Sequence, residues 1–271
     1  AEQTEMRVNT ITAVNRVVLQ STSGIVDAVA SDAANVTATS LAIIANPPST
    51  ILDLPSVGSS DNHLDVVLGG PIRFDVTGDV HVTSPEDLTL TISDVSGELH
   101  LSSNKKLVVA SHVNAGKGIY LGGAPVEFSK FSAAFTSGDS SVIDIRSGTD
   151  WDLDILGTIV AGGAGGTSGI VWSGDDSSVY LGAGQQVYID GAIFASGLLE
   201  VVGGTPGDDD DDLSVLASTR AGLSADGRTS DGTAGQVTVT ANGNLEIMGN
   251  VVSGGTVSQT FDAEGDLVNQ T

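Results

Sequence analysis

The chain has 271 residues, ample for a core in one large or two ordinary domains. Its 34 acidic against 10 basic side chains give a formal charge of −24. Such a surface repels phosphate backbones and anionic lipid headgroups, which argues against nucleic acid and leaves cations and cationic surfaces as partners. Cysteine is absent, which excludes disulfides and thiolate chemistry, and no run approaches the ~18 apolar residues of a membrane span.

The vocabulary is that of strands and turns. Gly, Ser, Thr, Asp and Val abound, while the residues that favour surface helix are scarce. An all-β chain is expected. It begins at Ala1 with neither Met nor an apolar leader, the pattern of a processed protein or a piece of a longer one.

In chain order, residues 1–60 share this vocabulary but follow no strict spacing, and Pro47–Pro48 must lie at a corner or in a loop. They are expected to form less regular N-terminal coils. Over residues 61–202 a spacing emerges. Apolar residues recur at offsets 0, +8 and +14 in Val66/Phe74/Val80, Leu99/Leu107/Val113, Ile145/Leu153/Ile159 and Val179/Val187/Ile193. A fifth copy, Val237/Leu245/Val251, lies in residues 236–271 and predicts C-terminal coils there. A second apolar residue follows at +10, in Val76, Val109, Ile155, Ile189 and Ile247. Glycine occupies +12 at Gly78, Gly157, Gly191 and Gly249, as expected where backbones approach closely or φ is positive.

Such short alternating strands cannot bury a face alone. Stacked coil upon coil, with each strand bonded to its equivalents above and below, they bury their inward side chains as a ladder. The spacing therefore predicts a parallel β-helix, or β-solenoid, with loop insertions, in preference to a β-sandwich, whose strands usually run longer. Copies are 33, 46, 34 and 58 residues apart, so with coils of roughly 20–25 residues some intervals hold two coils or an insertion. On the order of ten to twelve coils are expected.

Residues 203–235, "GGTPGDDDDDLSVLASTRAGLSADGRTSDGTAG", break the spacing and read as an acidic, Gly/Asp-rich insertion. Asp208, Asp209, Asp210, Asp211 and Asp212 could supply oxygen ligands to calcium, which takes about six to eight. The competing reading is a solvated, self-repelling loop.

The segments "GQVTVTANGNLEIMGNVVSGG" and "ANVTATSLAIIA" resemble the repeats of filamentous-haemagglutinin-like proteins, exported bacterial adhesins. The likeness covers residues 60–200 and 235–258 well and the N-terminal third more loosely. It implies a right-handed winding and a secreted, extracellular or cell-surface location. It also implies a structural and adhesive role in a fibre, with no catalytic residues and no required cofactor. Implied partners are surface glycans and biofilm matrix. Solenoid ends expose unpaired strand edges and neither end shows a clear cap, so sister copies stacked end to end as a homo-oligomer or filament, or continuation of the same fibre, are also expected. No segment matches the family's amino-terminal secretion domain, as expected of a piece from the repetitive shaft.

The alternative is a calcium-dependent carbohydrate-active β-helix enzyme, a polysaccharide lyase or hydrolase. In "TDWDLD", Asp150, Asp152 and Asp154 alternate with Trp151 and Leu153, so they share one side of a strand and face solvent, with Arg146 nearby. Two carboxylates at a fitting separation can cleave a glycosidic bond. His63, His81, His100 and His112 fit no metal motif; His81 and His100 sit between apolar positions and should point outward. Trp151 and Trp172 are expected to be buried against corners; exposed, they would offer a sugar or partner contact. The run "GGAGGTSG" lacks the lysine of a phosphate-binding loop and reads as a flexible link between coils. Threonine arrays of the ice-binding kind do not repeat in register beyond "VTVT" and "LTLTI".

Overall fold

The computed structural model describes residues 5–28, 33–47, 54–166, 169–172, 174–205, 214–225, 235–253 and 257–260. Among these every regular element is a strand, and nearly all pairing is parallel. The pattern is solenoid-like: each strand bonds to its equivalents one coil earlier and one coil later.

Three columns result. The first holds eleven strands, from Ile11–Thr12 through Val80–Ser84, Glu98–Ser103, Gly118–Gly123, Val142–Ser147 and Ser178–Ala183 to Val257–Thr260. The second runs through Leu88–Leu90, Leu107–Val109, Val126–Phe128, Leu153–Ile155, Val187–Ile189, Val215–Ala217 and Leu245–Ile247. The third runs through Ser93–Val95, His112–Ala115, Ala133–Thr136, Thr158–Ala161, Ala192–Ala195, Gly222–Ala225 and Asn250–Ser253. The second and third merge in Pro71–Val76, whose first residues pair with Leu88–Leu90 and whose last pair with Ser93–Val95. Beneath it, Ser40–Ala45 and Arg16–Ser21 are likewise single six-residue strands. One long strand does there what two short ones do later, which is why the N-terminal third misses the spacing.

Inside, equivalent aliphatics lie in register. Val80, Leu99, Ile119, Ile143, Val179, Leu199 and Val237 follow one another up the first column and are fully buried. Leu107, Val126, Leu153, Val187 and Val215 do the same in the second. The third narrows, and its last inward position takes Ala115, Thr136, Ala161, Ala195 and Ala225.

Three of the five expected copies have the register predicted for them; two do not. In the Ile145 copy the residue aligned with Val179 is Ile143, while Ile145 aligns with Leu181. In the Val66 copy, Val80 pairs with Leu99 and so opens the next coil instead of ending its own. The coils opened by Val80, Ile119 and Leu199 depart from the spacing because their turns differ in length. Val126 follows Ile119 by only seven residues, and Val215 follows Leu199 by sixteen. The corner between the first and second columns varies in length because the ladder holds the strands on either side of it in register.

The +12 glycines sit where successive corners touch. A methyl group at Gly191 would fall 1.8 Å from the Gly157 carbonyl oxygen, and one at Gly249 would fall 2.3 Å from that of Ala221. Close approach, and not positive φ, is the reason for glycine there. The "GGAGGTSG" run also departs from expectation. Gly163–Gly166 and Gly169–Trp172 pair as an antiparallel hairpin inserted between the third column and the next coil. Glycine keeps its backbone donor and acceptor, so the run can pair, at an entropic cost that a side chain would have reduced.

Candidate functional site

Parallel register places outward side chains of successive coils directly above one another. On the first column this builds a pile of rings. His63 stacks on His81 with ring centres 5.9 Å apart, His81 on His100 at 4.5 Å, and His100 on Tyr120 at 4.3 Å. The planes diverge by no more than 16°. His81 and His100 do point outward, half-buried, as alternation required.

The rings lean toward the start of their strands. His100 Nε2 lies 2.9 Å from Glu98 Oε2, two residues earlier. Tyr120 lies over Gly118, the register partner of Glu98, where an added methyl would meet the ring at 2.8 Å. Glycine at that point lets the tyrosine continue the stack.

Burial, with His100 and His63 on either side, pushes the His81 imidazole below the usual histidine range. Burial also pushes the Tyr120 phenol up, with Glu98 and Asp144 adding to it. At neutral pH the stacked His81 is therefore held neutral.

Above Tyr120 the same column continues with Asp144, Tyr180 and Glu200. Asp144 accepts from Arg146 of its own strand, Nε to Oδ1 at 2.5 Å. The guanidinium extends over Gly182 of the next coil, where a methyl would fall 3.0 Å from Nη1. His63, His100, Ser102, Tyr120, Asp144 and Arg146 contribute to a concavity of about 250 Å³ along this face. That is below the ~300–1,000 Å³ of sites for drug-sized ligands, and fits a single ring or planar group.

The "TDWDLD" acids are arranged otherwise than expected. Only Asp154 belongs to a strand; Asp150 and Asp152 lie in the preceding turn, exposed. Asp152 is engaged with the next coil, where its Oδ1 accepts from the Gln186 backbone N–H at 3.0 Å. Asp154 is half-buried beside Glu127 of the preceding coil. Its carboxyl is pushed above the usual range, first by burial and then by Asp152 and Glu127. Lys106 pairs with Glu127 at 2.5 Å. Arg146 is tied to Asp144 on the other column, so the expected acid–arginine grouping does not form around Asp154.

Trp151 is 47 % exposed and lies across the turn at Gly148, a correction to its expected burial. The Trp172 side chain and Asp208–Asp212 lie outside the described residues. His112 stacks on Phe135 at 6.3 Å on the third column. Among the described residues no three His, Asp or Glu side chains are grouped so as to hold a metal ion. No single-residue signal marks the ring pile. His81, His100 and Tyr120 lie 19 and 20 residues apart, but only a correct register reveals that they coincide.

Compared with known families, curated proteins and solved structures, the chain finds no match.

Proposed function

We propose that the chain is a structural and adhesive segment of a secreted or cell-surface fibre, built as a right-handed β-helix. The observation that supports this most is the eleven-strand parallel column, with its aliphatic ladder from Val80 to Val237. Such a quasi-one-dimensional array is stiff along its axis and is extended by adding coils, with no change to those already present. The hairpin formed by Gly163–Gly166 and Gly169–Trp172 leaves the columns in register, and the strands on either side of residues 206–213 and 226–234 keep the same register. Loops of that kind can carry recognition while the shaft stays constant. In this reading copies stack end to end through strand edges, and the outer faces contact glycans, matrix or sister rods.

Electron microscopy of the purified protein over a concentration series, with and without calcium, tests the proposal. Rods that lengthen in multiples of one unit, together with retention on immobilised glycans or matrix, are expected. Single short particles at every concentration, with no retention, would overturn it. A calcium-dependent change in rod length or retention that the Asp208–Asp212 run is required for would assign calcium to that segment.

A further inference from the structure

The pile of rings on the first column misses one rung. His63, His81, His100 and Tyr120 supply a ring on each successive coil; the next coil supplies Asp144, and the one after it supplies Tyr180. Tyr120 and Tyr180 are two strand steps apart, about 9.6 Å. A planar group midway between them would sit about 4.8 Å from each, close to the 4.3–4.5 Å spacing of the upper pile. At its root would stand the Asp144 carboxylate, with Glu200 beyond Tyr180.

We propose that this gap is a binding slot for a planar cation, the guanidinium of an arginine side chain presented by a peptide or protein partner. The missing rung of the ring pile, with Asp144 in register between Tyr120 and Tyr180, is the observation that carries it. Four features select the ligand. A cation within about 6 Å of an aromatic centre is attracted by the ring face, and here two rings are offered. The carboxylate matches a guanidinium's forked donors. Asp144 already holds one guanidinium, that of Arg146, which donates Nε–H to Oδ1 at 2.5 Å and Nη2–H to Oδ2 at 3.5 Å, so the carboxylate accepts a forked donor. Finally, the chain's charge of −24 attracts cationic partners from a distance and repels anionic ones. Arg146 acts as an internal competitor that an incoming guanidinium displaces. The inference goes beyond the fibre proposal and does not rest on it.

The chain has three tyrosines, and Tyr188 stands on the second column beside Asp154, so 3-fluorotyrosine labelling provides two reporters and an internal control. Titration with N-acetyl-arginine amide should shift the Tyr120 and Tyr180 fluorine signals saturably and leave Tyr188 in place. N-acetyl-lysine amide, lacking the planar fork, should bind about 2–5-fold more weakly. Asp144→Asn should abolish the shifts while its Tyr188 signal reports an intact fold, and Arg146→Ser should tighten binding about 2–5-fold. Equal shifts at all three tyrosines, or equal affinity for the lysine analogue, would mean diffuse attraction to the acidic surface and would overturn the proposal. Undiminished binding by D144N, or unimproved binding by R146S, would overturn it as well.

Discussion

Phe128 offers the most direct test of the stacked interior. It is fully buried and is among the largest such side chains, with Val109 before it and Ile155 after it in register. Phe128→Ala removes a ring whose neighbours are held by their own strand ladders and cannot collapse into the space. Truncations of this kind cost about 3–5 kcal/mol, the transfer of the ring plus the cavity left behind. For a chain of this size that lowers the thermal midpoint by roughly 6–20 °C. Because each coil touches only its neighbours, the damage should also be local. Calorimetry would read the midpoint, and amide exchange would read the locality. Protection should fall first in Leu107–Val109 and Leu153–Ile155 and last in the coils around Val237. A loss below about 1 kcal/mol, or protection lost evenly along the chain, would refute the reasoning, since a buried ladder permits neither.

Gly191→Ala and Gly222→Ala form a matched pair. The first places a methyl 1.8 Å from the Gly157 carbonyl and should cost about 1–3 kcal/mol; the second meets nothing nearer than 3.9 Å and should be neutral or gain about 0.4–1 kcal/mol in chemical denaturation. The His81 imidazole is lowered in the folded state, so its contribution to stability is full above the ordinary histidine range and is lost as pH falls through its folded value. His81→Asn should therefore flatten the decline of the thermal midpoint between neutral and mildly acid pH. Asp154 has the opposite sign: its carboxyl is raised, so ionisation costs stability above the usual carboxylate range. Asp154→Asn should raise the midpoint at neutral pH and leave it unchanged in acid where both forms are uncharged. Finally, a charge of −24 repels itself, and sodium chloride shortens the screening length from about 30 Å at 0.01 M to about 3 Å at 1 M. The midpoint should climb over that range, and a flat response would show that the carboxylates are already compensated.

The alternation of Val, Ile and Leu with polar residues, and their return at +8 and +14, determined that strands are short, one-sided and stacked. These are local consequences of a period of two and of turns too short for a helix. Leu99/Leu107/Val113 and Val179/Val187/Ile193 could be assigned to their columns from spacing alone. The Val80, Ile119 and Leu199 coils could not, because a corner can shorten or lengthen without disturbing the ladder, and spacing then ceases to report register. The candidate site suffers most from this. His100 and Tyr120 are 20 residues apart, Tyr120 and Asp144 are 24, and Asp144 and Tyr180 are 36, yet all four occupy one outward column. Only the inward packing of Leu99, Ile119, Ile143 and Val179 decides that, since a one-residue slip would turn every one of those side chains to the opposite face. Sequence thus determined which residues face water, and tertiary register decided which of them meet.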